Sequence, residues 1–322
     1  MWITILLVVF VMLIFMYRWH RQSQILQNLT DKYVFITGCD SGFGNLLAKQ
    51  MERRGMLVLA ACMTEKGSED LKKETSRRLQ TVILDVTDSQ SVSSVAKWVT
   101  HTVGDKGLWG LVNNAGTGMP GCPNEWLNKQ DFTKVLDVNL LGTIDVTLQF
   151  LPLIRKSHGR IINVSSIVGR VTICGGGYCI SKFGVEAFSD SLRRELRRFG
   201  VRVSIIEPGY FKTPLNDLKH MKETLKNIWS NARPDIQRSY GIQYFQDYVT
   251  DMEKTFLSLC NTDLTPVTQC MEHALIAVNP WTRYSAGWDA KLFFIPVSYL
   301  PTFLSDYLLT HSVPKPAKNT SH

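Results

Sequence analysis

The chain has 322 residues, with 36 Lys and Arg against 28 Asp and Glu for a formal charge of +8, and it is 44% hydrophobic and 20% charged. That balance excludes a disordered, collagen-like or disulfide-scaffold polypeptide and leaves ample apolar material for a core. The apolar residues are unevenly spread: Met1–Tyr17 carries no charge at all.

As a helix, Met1–Tyr17 would span about 25 Å at roughly 1.5 Å per residue. That is the short end of what crosses a hydrocarbon core of about 30 Å, with Trp2, Tyr17 and Trp19 placed as interfacial aromatics. A cleaved signal peptide would want basic residues before the run and small residues after it, whereas the run opens at Met1 and ends in Met16, Tyr17, Arg18 and Trp19. An uncleaved anchor is expected at 1–17 and a linker at 18–30, with a helix lying in the membrane interface as the competing arrangement. Arg18, Arg21 and Lys32 follow the run and place the remaining chain on the cytosolic face. Of three N-x-[ST] sequons, Asn163 falls at a strand end and should be buried, while Asn28 and Asn319 would carry glycan only in the lumen.

Cys39, Cys62, Cys122, Cys174, Cys179, Cys260 and Cys270 form no C-x-x-C pair and no even framework, which suits free thiols in a reducing compartment. Scattered histidines and the absence of H-E-x-x-H disfavour zinc.

From Asp31 to about Glu207, short β-branched runs alternate with helical patterns, the signature of a parallel sheet with crossover helices on both faces. Strands are predicted at Tyr33–Thr37, Val58–Ala61, Val82–Asp85, Leu108–Asn113, Arg160–Val164 and Arg202–Glu207, with a seventh at Arg283–Ala286. Helices are predicted at Asn45–Arg54, Ser89–Val103, Phe132–Lys156 and Tyr178–Phe199, the last with an apolar stripe of Phe188, Leu192, Leu196 and Phe199. Opposite that stripe, Arg193, Arg194, Arg197 and Arg198 form either a solvated face or a contact for anionic headgroups. No nucleic-acid-binding motif accompanies them. Residues 210–280 read as an excursion over the C-terminal edge of the sheet, so 31–290 forms one α/β domain.

The first strand runs into Thr37-Gly38-Cys39-Asp40-Ser41-Gly42-Phe43-Gly44 and then a helix. Glycines there permit a tight turn and close approach of backbone N–H groups to a pyrophosphate at a helix N-terminus. Asn113-Asn114-Ala115-Gly116 closes the fourth strand, Asn139 lies within a helix, and Asn163-Val164-Ser165-Ser166 closes the fifth strand. Tyr178-x-x-x-Lys182 opens a helix that presents both side chains on one face, and Pro208-Gly209 closes the sixth strand. This order and spacing over Asp31–Gly209 resembles the short-chain dehydrogenase/reductase family, which implies a Rossmann-like, doubly wound parallel sheet of about seven strands.

The resemblance also implies roles. Tyr178 would be the general acid/base, Lys182 would lower its pKa and hold the nicotinamide ribose, Ser166 would fix the substrate oxygen, and Asn139 would support a proton relay. A tyrosine phenol, with its ordinary pKa of about 10, needs a nearby ammonium to serve as a base at neutral pH. Ser165 competes with Ser166, which is preferred because it begins the turn Ser166–Gly169. Hydride transfer between a carbinol and a nicotinamide follows, in either direction. The cofactor contacts are expected from Gly38, Asp40, Ser41, Gly42, Phe43, Gly44, Asp85, Val86, Asn113, Ala115, Gly116, Lys182, Pro208, Gly209 and Thr213. Because Asp40 would repel a 2′-phosphate and the loop lacks a basic residue, NAD is expected over NADP.

The segments TGCDSGFG (37–44), AACMTEKG (60–67), GLWGLVNNAG (107–116), GGGYCISKFGVEAFSD (175–190) and YSAGWDAK (284–291) are similar to the microsomal retinol and hydroxysteroid dehydrogenase subgroup. That likeness implies an endoplasmic-reticulum enzyme oxidising retinol or a 3α- or 17β-hydroxysteroid, with Ser166 and Tyr178 touching the substrate. It also implies membrane lipid as a partner and a homodimer. The alternatives are an NADPH-dependent reductase and a catalytically idle lipid-binding scaffold. Residues 291–322, apolar with prolines at 296 and 301, form a tail that either packs on the core or dips into the membrane surface.

Overall fold

The structure, a computed structural model, describes residues 2–118, 121–310 and 314; the Asn319 sequon lies outside the described residues. Seven parallel strands form one sheet: β1 (Tyr33–Thr37), β2 (Leu57–Cys62), β3 (Leu79–Ile83), β4 (Gly110–Asn113), β5 (Arg160–Val164), β6 (Arg202–Pro208) and β7 (Arg283–Ala286). Their order is β3-β2-β1-β4-β5-β6-β7, so the direction of winding reverses between β1 and β4, where ligands bind in open α/β sheets.

Strand alternation divides the core in two. Val34 and Ile36 of β1 face helices α2 (Gly42–Arg53), α3 (Glu65–Lys73) and α10 (Thr265–Ile276). Phe35 points the other way, to α4 (Ser89–Val103), α6 (Thr143–Lys156) and α7 (Gly177–Leu196), and stacks on Phe150 at 4.6 Å between ring centroids. Between α5 (Lys129–Leu136) and α6 the chain makes a π-helical turn, Asp137–Gly142, within the helix predicted as continuous from Phe132.

Several expectations shift. β3 starts three residues before the predicted Val82–Asp85 and stops at Ile83, because its ladder with β2 closes there and frees Asp85 for the loop. Phe199 lies outside the core, half-covered by Arg155, whose guanidinium sits 3.7 Å from its ring centroid. Arg193 and Arg194 pair with Asp190, and Arg194, Arg197 and Arg198 are the exposed part of the basic run. The segment Thr265–Ile276 is the β6-to-β7 crossover helix, with Val267, Met271 and Leu275 fully buried against α2 and the sheet. The excursion therefore comprises α8 (Leu218–Asn231) and α9 (Pro234–Leu259, interrupted at Gly241).

The N-terminal helix, α1 (Trp2–Ser23), is long and apolar enough to cross a membrane and is unburied throughout its span. It runs six residues past the predicted anchor into the expected linker. The chain after it docks on the domain: Leu26 N–H donates to the Ile276 carbonyl, and the Gln24 carbonyl accepts from Val278 N–H. Arg21 donates to Asn279 at 3.0 Å. In the tail, Phe294 and Val297 are buried against Ile167, Val168 and Cys179, while Leu292 and Phe303 are exposed.

Candidate active site

Two adjoining cavities open at the C-terminal ends of the strands. The larger, about 690 Å³, is lined by the β1–α2 loop, the ends of β2 to β6, and Lys182. The smaller, about 370 Å³, is lined by Ile167, Val168, Leu215, Met252 and Phe256 among others. Ser166, Tyr178 and Gly209 line both.

The first cavity has the walls a dinucleotide requires. Gly38 has φ +70°, and a Cβ there would meet Ala115; a Cβ on Gly44 would meet the Gly38 carbonyl and the Asn114 amide. The backbone thus approaches as closely as it can, and α2 starts at the cavity wall with its free N–H groups available to a phosphate. Thr37 Oγ1 accepts from the N–H groups of Asn114 (3.0 Å) and Ala115 (2.9 Å). The Asn114 amide donates to the carbonyls of Thr37 and Gly38. These bonds lock the glycine loop to the end of β4. Asp40, Ser41, Gly42, Phe43, Asp85, Val86, Ala115, Gly116, Pro208 and Thr213 also line the cavity. A nicotinamide dinucleotide fits these residues.

Of the expected contacts, Asn113 is turned from the cavity wall and Asp40 stands on it with its carboxylate already engaged. The Asn113 side chain points into the core, donating to Thr147 Oγ1 and Asn163 Oδ1 at 2.8 Å each, and Asn114 takes the place at the cavity wall. Asp40 is held by the segment after β2: Met63 N–H at 2.7 Å, Thr64 N–H at 2.9 Å and Thr64 Oγ1 at 2.7 Å donate to its carboxylate. It contributes negative charge at the end of β2 with both oxygens already engaged.

Tyr178 opens α7, and Ser166 caps the short turn after β5, accepting from Val168 N–H at 3.3 Å. Ser165 instead donates to the Lys182 carbonyl, beneath the helix. The Lys182 ammonium donates to the Val164 carbonyl at 2.9 Å, and burial pulls its pKa down to about 8 against the opposing pull of Glu186. Burial pushes the Tyr178 phenol up to about 12, and its hydrogen bond with Ser166 works in the other direction. With the ammonium hydrogen-bonded to Val164, desolvation sets the direction for the phenol. Asn139 is 1% exposed and fully engaged: Oδ1 accepts from Thr117 N–H, and Nδ2 donates to the Thr117 carbonyl and Ser181 Oγ. It braces the loop after β4 against α7.

Sequence reasoning passed over Thr37, Asn114 and Asp289. Asp289 accepts from Tyr210 N–H at 2.7 Å and packs against Gly209, holding the cavity rim to the segment after β7. The doubled asparagine and the motif YSAGWDAK were the available signals. The aromatic wall built by Tyr248, whose hydroxyl donates to the Gly121 carbonyl, carried none, because its partners are distant in sequence.

Comparison with known proteins decides the family. The short chain dehydrogenase profile matches residues 32–224. The chain belongs to the short-chain dehydrogenase family. It is 58% identical to human retinol dehydrogenase 16 over 312 residues, 97% of this chain and 98% of that one. Human 17-beta-hydroxysteroid dehydrogenase type 6 is 57% identical with the same coverage, and rat retinol dehydrogenase 7 is 57% identical over 94% of this chain and 95% of its own. A short-chain dehydrogenase from Streptomyces avermitilis shares the fold, with a TM-score of 0.67 and 24% identity over 82% of this chain and 91% of that one. An alcohol dehydrogenase from Thermococcus sibiricus complexed with 5-hydroxy-NADP gives a TM-score of 0.51 and 28% identity over 56% and 77%. This short-chain dehydrogenase is thus an alcohol-oxidising or carbonyl-reducing enzyme with a nicotinamide cofactor.

Proposed function

We propose that this short-chain dehydrogenase is a membrane-anchored enzyme that oxidises a lipophilic alcohol, a retinol or a 3α- or 17β-hydroxysteroid, with NAD. The observation that carries the reading is the sharing of Ser166 and Tyr178 between the dinucleotide cavity and the apolar pocket. Those groups stand where an alcohol carbon would meet a hydride acceptor.

Bound nicotinamide supplies the hydride acceptor. Ser166 Oγ holds the substrate oxygen, and Tyr178 Oη takes the hydroxyl proton. Lys182 faces the cofactor cavity beside Gly116 and supplies positive charge near the phenol. Asn139 holds the π-helical turn in register with α7. Asp40 supports NAD over NADP because its carboxylate, fixed at the end of β2, repels a 2′-phosphate.

The apolar lining of the smaller pocket and the names of the relatives support a retinoid or steroid substrate. Helix α1 supports anchoring in the endoplasmic-reticulum membrane with a cytosolic catalytic domain, where exposed Asn28 stays unglycosylated. A homodimer is supported by exposed Leu141, Leu148, Ile180 and Phe183 on the π-turn, α6 and α7. Titrating the enzyme with each cofactor tests the reading: tight NADP(H) binding with negligible NAD(H) binding selects the reductase alternative, and unchanged turnover in Tyr178→Phe removes the catalytic assignment.

A further inference from the structure

Beside the catalytic tyrosine lies a pair of thiols with no part in hydride transfer. Cys174 Sγ and Cys179 Sγ are 3.8 Å apart. Cys174 lines the apolar pocket, whereas Cys179 is 2% exposed and follows Tyr178 in the first turn of α7. Gly121 packs directly against Cys174, where a Cβ would clash with its sulfur. Cys174 is followed by Gly175, Gly176 and Gly177, with Gly176 at φ +100° and its N–H donating to Asn124 Oδ1, so three of the four residues between the two cysteines carry no side chain.

We propose that Cys174 and Cys179 form a modification site that reacts with lipophilic hydroperoxides admitted to the apolar pocket, closing to a disulfide that shuts down turnover. The sulfurs need to approach by about 1.8 Å to reach the 2.05 Å of a disulfide, a movement the glycine joint permits. The chemistry balances. Cys174 Sγ attacks the terminal peroxide oxygen, the O–O bond breaks, and the alcohol leaves with the thiol proton, giving a sulfenic acid. Cys179 Sγ then attacks that sulfur, forming the S–S bond and releasing water. Two thiols lose two electrons and the hydroperoxide gains them.

The hydrogen bond with Cys179 and burial hold the Cys174 thiol well above its ordinary value, so its attack from the pocket wall is the slow step, and the surroundings favour the second. The hydrogen bond between the two thiols, together with backbone contacts of Ile173, Cys174 and Cys179, outweighs burial and brings the Cys179 thiol down to about 7. A position in the first turn of a helix favours a thiolate in the same direction. Closure drags Ile173 and Cys174, both walls of the pocket, toward the start of α7 and so displaces the surface against which substrate meets Tyr178.

The activity readout rests on the proposed dehydrogenase reaction; the chemical readout does not. Cleavage after Arg170 and Lys182 yields one peptide, Val171–Lys182, containing both cysteines and no other. Full-length enzyme in microsomes is treated with cumene hydroperoxide, alkylated and digested. The expected peptide is two hydrogens lighter and unalkylated, appearing in step with a roughly 10- to 100-fold loss of kcat/KM that dithiothreitol reverses. Cys174→Ser and Cys179→Ser, each compared with its own untreated activity, should resist. Inactivated wild type whose peptide carries two alkyl groups would overturn the proposal, as would serine variants that lose activity as fast as wild type.

Discussion

The Lys182 ammonium stands 5.5 Å from the centroid of the Tyr178 ring and gives its hydrogen bond to the Val164 carbonyl. Charge is thus placed beside the phenol without pairing to it, at a cost in burial. Lys182 loses its proton near pH 8 in the folded protein, against 10.5 for an ordinary lysine. Between those values the unfolded chain binds more protons, so this group makes stability rise with pH from 8 to 10.5, and at pH 7 the fold bears the full penalty. Lys182→Met should therefore lose alcohol oxidation by about 100-fold or more with a Tm at pH 7 no lower than wild type. A stability advantage of the variant at pH 7 should shrink by pH 10. Thermal unfolding at both pH values checks this, and a large fall in Tm at pH 7 would mark Lys182 as structural.

Glu186, one helical turn beyond Lys182, behaves oppositely. Burial, then the charge of Glu207, raises its pKa to about 7, opposed by Ser165 and Arg283. From pH 4.5 to 7 the native state holds the extra proton, so stability contributed by Glu186 falls as pH rises through that window. Glu186→Gln should remove the fall, a change of up to about 3 kcal/mol. Denaturant unfolding at pH 5 and pH 7.5 measures it, and an equal wild-type-to-variant difference at both pH values would contradict the shift.

The glycine loop can be tested without touching the chemistry. A methyl on Gly44 would collide with the Gly38 carbonyl and Asn114, so Gly44→Ala should weaken dinucleotide binding by about tenfold or more and lower the Tm. Asp40→Ala should narrow the preference for NAD over NADP by about tenfold, while costing about 1–3 kcal/mol through the backbone donors it abandons. Fluorescence titration with NADH and NADPH reads both effects. Unchanged cofactor selectivity in Asp40→Ala would show that its charge plays no part in the choice.

These residues also mark how far the sequence could be read. β1 and β5 match their predicted bounds because their β-branched runs stop where the ladders stop, and β7 matches although Arg283–Ala286 has no β-branched residue. Helix α3 escaped notice since only Ser68 and Leu71 of its nine residues are buried, too few to leave a periodic stripe. Tyr178, Lys182 and Ser166, which line the larger cavity, could be singled out by fixed local spacing together with the family resemblance. Asn113 and Asn114 were not told apart, because the choice depends on Asn113 pairing in register with Asn163. Nor could spacing show that the carboxylate of Asp40 would be filled by residues 63 and 64 across a strand boundary.

The apolar face of α6 and α7 predicts an assembly. Phe183 is 42% exposed and Ile180 52%, unusual for residues flanking a catalytic helix of a monomer. Phe183→Lys should convert a detergent-solubilised dimer to monomer in light scattering. A wild type already monomeric at micromolar concentration would remove the basis for the dimer.

The central claim is tested most directly by NADH formation from all-trans-retinol and from a 3α-hydroxysteroid in microsomes carrying wild type or Tyr178→Phe. Wild type should turn over at least one of these alcohols with NAD, far faster than with NADP, and the phenylalanine variant should fall by about 100-fold or more. Equal rates for the two proteins, or turnover confined to NADP, would contradict it.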